Sequence, residues 1–183
     1  EGLTSQDLEE LTQISVVDGF TPNVSLKVRV SRGGTYEKNV SVSGKNAYYF
    51  RTTEDLLKRG RALNVVDEDN ASFVCWINQD MVDEFFFGVD PIDQSIYIDG
   101  VPFLVAGILS DSDSASIATL MGGSADILVP YTTALKMSSA NMVTSFTLYL
   151  TEGADSEAAA DLVEAAMDAM FSYEEDCFTV TTL

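Results

Sequence analysis

Histidine is absent from the 183 residues. That removes Ser-His-Asp and Cys-His catalysis and every histidine metal site. Cysteine occurs twice, as Cys75 and Cys177, far apart and without metal-type spacing. Cys75 lies in the apolar run Phe73-Val74-Cys75-Trp76-Ile77 and reads as a small buried core residue, the alternative being a disulfide to Cys177 in an oxidising compartment. No apolar run approaches the ~20 residues a membrane helix needs. The longest, Val101 to Leu109, contains Pro102 and Gly107. There is no P-loop, no G-x-G-x-x-G, no start Met and no basic-then-apolar leader. The chain begins abruptly at Glu1, so a piece of a longer protein is expected.

Positive charge is scarce: 10 Lys and Arg stand against 29 Asp and Glu, a net charge of −19. Nine of the ten lie between Lys27 and Arg61, and residues 62–183 carry 21 acidic residues against Lys136 alone. Such a chain disfavours nucleic acid and anionic lipid. The Lys27–Arg61 stretch reads as solvent-facing strand positions, or else as a basic patch for an anionic partner.

The acidic loops do not spell a calcium site. An EF-hand begun at Asp67 would need glycine at position 72 and glutamate at 78, where the chain has Ser72 and Asn78. One begun at Asp111 would need glycine at 116 and glutamate at 122, where it has Ser116 and Gly122. No carboxylate pair is singled out for glycoside cleavage. We therefore nominate no catalytic, cofactor-binding or metal-binding residue, and no cofactor.

The hydrophobic content of 46% is enough for a real core, in one domain or two small lobes. Asp99-Gly100 between Ile96-Tyr97-Ile98 and Val101–Leu109 predicts a hairpin with a type I′ turn, its outgoing strand covered on both faces. Thr4 and Asp7 predict the capped start of a helix carrying Leu8, Leu11 and Ile14, with Leu3 and Leu8 as a staple and Asp18-Gly19 as its end. Residues 24–31 alternate as a half-buried strand, with Val24, Leu26, Val28 and Val30 inward. A turn at Gly33-Gly34 leads to a strand from Tyr36 to Ser43, which Gly44 is expected to break. Aromatic residues 48–50 precede a short helix expected over Glu54–Lys58 and ended by Gly60.

Further on, residues 67–70 read as a solvated acidic loop, 72–78 as a buried strand, and 79–87 as a helix with Met81, Val82, Phe85 and Phe86 inward. Residues 110–123 read as a loop with an apolar tip, Ile117, Leu120 and Met121, suited to contact. A strand at 127–129 meets Pro130, which starts a helix from Tyr131 to Met137. The end reads as strand 143–150, an Ala-rich helix over 156–171 and strand 177–182, in one sheet with the strand at 24–31. On that helix Leu162, Val163, Met167 and Met170 face the core; Met137, Met142, Met167 and Met170 fit core packing better than an apolar groove. Three glycosylation triplets, at Asn23, Asn39 and Asn70, matter only in a eukaryotic secretory pathway.

In order, several stretches carry a resemblance. They are Thr21-Pro22-Asn23-Val24-Ser25, Val42-Ser43-Gly44 with Tyr49-Phe50, Leu57-Lys58-Arg59-Gly60-Arg61 and Asp90-Pro91 before the hairpin. Val105-Ala106-Gly107-Ile108-Leu109, Val129-Pro130-Tyr131-Thr132-Thr133 and Leu150-Thr151-Glu152-Gly153-Ala154-Asp155-Ser156 continue it. The chain resembles the MacB-like periplasmic core domain, the extracytoplasmic domain of MacB/FtsX-type ABC transporter permeases. The resemblance implies an α+β fold in two lobes: a porter-like βαβ lobe from 1–52 and 139–183, and an inserted, mostly-β sabre-like lobe over 53–138.

It implies a non-catalytic role relaying ATP-driven motion to the outer face of the cell membrane, on the periplasmic or extracellular side. The implied partners are an ATP-binding cassette subunit or domain, a second permease copy in a homodimeric transporter, and a peptide, antibiotic or lipoprotein-like cargo or an extracytoplasmic protein. Nucleic acid is not among them. Two departures stand out. The family usually has a strand before the first helix, and where it often has glycine after Asp-Pro-Ile this chain has Asp93. Rival readings are a free-standing secreted or surface-anchored binding module and a carboxylate-dependent hydrolase.

Overall fold

The hairpin that anchors the sequence pattern forms, but its outgoing strand is covered on both faces only from Val105 onward, with Val101, Pro102 and Leu104 exposed. In a computed structural model, Asp99 and Gly100 join β6 (Ser95–Ile98) to β7 (Val101–Leu109) with φ of 50° and 80°, the two positive values a type I′ turn requires. The structure describes residues 4–13, 17–110, 125–138 and 146–151, together with 157, 158, 161, 162 and 165. All but Ser110 of the contact loop expected over 110–123, the strand at 177–182 and Cys177 lie outside the described residues. So does most of the Ala-rich helix. Residues 157, 158, 161, 162 and 165 of it are helical, and Leu162, expected on its buried stripe, is half exposed.

The other strands are β1 (Val17–Pro22), β2 (Val24–Arg32), β3 (Thr35–Lys45), β4 (Leu57–Gly60), β5 (Val74–Ile77), β8 (Ile127–Pro130) and β9 (Phe146–Leu150). The helices are α1 (Ser5–Thr12), α2 (Ala47–Thr52), α3 (Val65–Asn70), α4 (Gln79–Phe85) and α5 (Tyr131–Met137). Strands β7, β5, β8, β3, β2 and β6 pair in that order, and β6 pairs back onto β7, so six strands form a closed ring. Strand β4 adds to the far end of β7. Alternation then sorts side chains to inside and outside. Val28, Val30, Val40, Val42, Cys75 and Ile77 fill the inside with Ile96, Ile98, Phe103, Val105, Ile127 and Val129. Burial pushes the Cys75 thiol well above its ordinary pKa. On the outside, Val74, Trp76, Ala106 and Leu128 form a second cluster with Phe50, Leu56 and Leu63. Trp76 Nε1 donates to the Arg61 carbonyl at 2.6 Å, which satisfies the one polar atom of the ring.

A second, small sheet joins the two ends of the chain. Strands β1 and β9 run antiparallel from Val17 opposite Leu150 to Pro22 opposite Phe146. Helix α1 packs on β1, and Leu8, Val17 and Phe20 extend the ring's inner core. The capping box of α1 is complete: Asp7 N–H donates to Thr4 Oγ1 at 3.2 Å, and Thr4 N–H donates to Asp7 Oδ2 at 3.0 Å. The architecture is thus α+β, a small element from both chain ends with a mostly-β ring inserted between.

Several expectations need correction. Asp18-Gly19 does not end the first segment; it lies inside β1, where the register shifts. Strand β2 does not share a sheet with β9, because its edges are taken by β3 and β6. The helix expected at 54–58 is instead α2 at 47–52, because the Asn46 side chain caps it by accepting from Tyr49 N–H, and 57–60 is strand β4. Gly60 keeps the expected positive φ, at 93°, but within that strand. The acidic loop at 67–70 is helix α3, nucleated by a full capping box between Asn64 and Asp67. Asp67 is buried there and takes a bidentate pair from Arg61, at 2.8 and 3.2 Å. Gly44 does not break β3. A Cβ on it would fall 2.7 Å from Tyr131 Cα and 2.9 Å from Ala134 Cβ, so its bareness lets α5 lie directly on the strand.

Asp93 adopts φ 66°, so the turn keeps the left-handed backbone that glycine would supply, and the substitution alters strain rather than path. Replacing Asp93 by Gly should raise stability by about 0.5–1 kcal/mol. Gly44→Ala should lower it by about 2 kcal/mol through overpacking against α5. Urea unfolding reads both as opposite shifts in midpoint at constant m.

Candidate functional site

Where the small sheet meets the ring, one short helix makes most of the contacts. Helix α2 carries Tyr48, Tyr49 and Phe50 in succession. At about 100° per residue, the first and third point to nearly opposite sides. Phe50 turns to the ring and lies 4.8 Å from Trp76, centroid to centroid. Tyr48 turns to the small sheet. Its ring meets Tyr149 of β9 at 5.5 Å, and its hydroxyl donates to Asp18 Oδ2 of β1 at 2.8 Å. The ring also covers Gly19, where any Cβ would collide with it. Burial, and next the Asp18 carboxylate, push the Tyr48 hydroxyl pKa well up, so it remains a donor.

Asn46 bolts the same helix to β1. Its Oδ1 accepts from Tyr49 N–H at 3.0 Å, and its Nδ2 donates to the Phe20 carbonyl at 2.7 Å, all of it buried. One amide thus joins a helix end to a strand carbonyl. The Phe20 ring meets Tyr131 of α5 edge-on at 6.0 Å.

Glu68 of α3 ties the remaining elements. Its carboxylate accepts the Ala47 N–H at the start of α2, and its carbonyl accepts from Thr132 Oγ1 of α5 at 2.7 Å. Thr133 Oγ1 donates to the Ser72 carbonyl at 2.8 Å beside it. Burial raises the Glu68 pKa to about 7, against the pull of the Ala47 N–H and with help from the Asp69, Glu9 and Asp67 carboxylates.

The arrangement binds elements together mechanically and holds no reacting geometry. Among the described residues, no group of three or more Cys, Asp or Glu is placed to hold a metal ion. The sequence reading nominated none of these residues. Asn46, three positions before Tyr49 and preceding an aromatic run, was the available signal of a capped helix. The basic stretch from Lys27 to Arg61 was read as solvated strand positions. In the structure Arg29, Arg32, Lys45, Arg51 and Arg61 each lie over an aromatic ring, at 4.4–5.7 Å from its centroid.

The Glu68 pKa is raised on folding, so protonation stabilises the fold. That stability is full below the unfolded value near 4.5 and is lost as pH rises toward 7. Glu68→Gln should therefore stabilise the chain by on the order of 1 kcal/mol at pH 8 and leave it nearly unchanged below pH 4.5, read by urea midpoints at the two pH values.

Comparison with known proteins gives one family. The model of the MacB-like periplasmic core domain matches residues 1–166. The macrolide export ATP-binding/permease protein MacB of Pectobacterium atrosepticum is 29% identical over 135 residues, which is 73% of this chain and 20% of that protein. The chain thus spans about a fifth of that curated relative. The periplasmic region of MacB from Actinobacillus actinomycetemcomitans superposes with a TM-score of 0.78 at 22% identity, covering 94% of this chain and 76% of that one. The extracellular domain of the noncanonic ABC-type transporter YknZ from Gram-positive bacteria also gives 0.78, at 14% identity, covering 95% and 87%.

Proposed function

This chain belongs to the MacB-like periplasmic core domain family of ABC transporter permeases, and from that premise we propose that it is the coupling domain of such a permease. It lies on the extracytoplasmic side of the cell membrane, performs no catalysis itself, and passes motion driven by a cytoplasmic ATP-binding cassette partner to a cargo or protein outside. The full transporter is a permease homodimer, and the cargo is a peptide, antibiotic or lipoprotein-like molecule. No helix among the described residues is long and apolar enough to cross a membrane.

One observation carries the proposal: among the described residues, segments from the two halves of the chain pair as β1 and β9, and contacts of α2 hold that pair to the ring. Displacement of β1 therefore reaches the ring both along the backbone into β2 and through the Asn46 and Tyr48 contacts. For this role we divide the chain into a lobe of the two ends and an inserted lobe. The sequence division of 1–52 and 139–183 against 53–138 is modified so that β2, β3 and α2 go with the inserted lobe. Support comes from their pairing with β6 and β8.

In the parent transporter, Tyr48→Ala should keep ATP hydrolysis within about twofold while export falls at least about tenfold, with Tyr48→Phe intermediate. Unchanged export in a folded Tyr48→Ala protein would remove the junction from the mechanism. Sequencing the parent gene outward separates the runner-up: a free-standing secreted or surface-anchored module has no membrane helix after Leu183, whereas a permease does.

A further inference from the structure

The outer face of the ring has one sector unlike the rest of the chain. Along β2 the outward positions include Lys27 and Arg29, and Lys38 is exposed beside them on β3. The ion pairs among the described residues are Arg59–Asp90 and Arg61–Asp67, so none of these three cations meets a carboxylate there. Lys27 Nζ instead donates to Ser41 Oγ, and Arg29 lies 4.8 Å over the Tyr36 ring. The acid beside them, Asp99, turns its carboxylate to the Arg29 backbone N–H.

Apolar side chains continue the sector across the neighbouring strands. Tyr97 of β6 pairs with Ser31 on one side and with Pro102 of β7 on the other. Leu104 follows Pro102 on the same face, and its N–H donates to the Phe73 carbonyl. Tyr36, Tyr97, Leu104 and Phe73 are 55%, 44%, 40% and 50% exposed. Each thus leaves about half of its surface open to solvent. The outward positions of β2, β6 and β7 in this sector carry no acid, on a chain of net charge −19.

We propose that this sector, with Lys27, Arg29 and Tyr36 at one end and Tyr97, Leu104 and Phe73 at the other, is the docking surface for a protein segment that alternates acidic and apolar side chains. Charge complementarity selects that occupant. Unpaired cations beside exposed aromatic rings attract carboxylates, and an Arg stacked on a ring keeps its edge N–H groups for one. A second copy docking through the same sector would offer these cations no carboxylate from β2, β6 or β7, so self-association here is disfavoured. The inference deepens the proposed partner handling outside the membrane and rests on that reading.

The test titrates the ¹⁵N-labelled chain with a synthetic peptide alternating Glu and Leu, and with its Lys-Leu counterpart. The Glu peptide should shift amide resonances of residues 27–31 and 95–104. Its affinity should fall at least about tenfold in Arg29→Glu and in Tyr97→Ser, and with added salt. Phe87→Ser, which alters a side chain 91% exposed outside the sector, should change nothing. No shifts with the Glu peptide, equal binding of the Lys peptide, undiminished affinity in Arg29→Glu, or loss of binding in Phe87→Ser would each overturn the proposal. The coupling reading would survive any of them, because it is read by ATP hydrolysis and export.

Discussion

The fold depends on β7 being able to hydrogen-bond along both of its edges. Its first residues pair with β6, its later ones with β5, and its end also with β4. That triple use closes six short strands into a ring and removes the open edges that four-residue strands could not defend alone. Closure in turn separates inside from outside, so every alternating strand must commit one face to the inner core. The outgoing limb of the hairpin is almost wholly apolar because its inner face fills the ring, while Ala106 and Leu109 on its outer face lie under the Phe50–Trp76 cluster.

The chain's few basic residues are spent on that outer surface. Half of the ten lie over aromatic rings, and one pair, Arg61 with Asp67, is partly withdrawn from water. With so few cations against 29 acids, salt bridges cannot be the general means of neutralisation. Most acids among the described residues stay exposed to water. Glu68 departs from that rule. It is drawn into the junction because the first N–H of α2 needs an acceptor, and its raised pKa is the cost of supplying one.

What was legible in the sequence was local. The Thr4–Asp7 cap, the alternation of 24–31 and the Asp99-Gly100 turn each rest on a few adjacent residues, and each formed. The order of quoted stretches along the chain pointed to the family. What was missed was either short or non-local. Helices α2 and α3 are six residues each, too short for periodicity, and depend on the caps Asn46 and Asn64. Gly44 read as a breaker because the helix that needs its bareness comes some ninety residues later in the chain. The ring could not be read at all, since its closing pair joins β6 and β2 across the intervening strands. The junction stayed hidden for the same reason: Tyr48, Asp18 and Tyr149 come from three separate parts of the sequence.

The antiparallel sense of β1 and β9 has a mechanical meaning. Both strands pass to the ring at the Pro22–Phe146 end and leave it at the Val17–Leu150 end. A common pull on the two outer ends is carried as tension along two covalent backbones, and the hydrogen bonds between them bear little of it. An opposed movement, one end drawn down as the other rises, puts the ladder into shear. Anchored by Asn46 and Tyr48, the ring must then tilt like the head of a two-stringed puppet. Such a stalk resists lifting and yields to rocking.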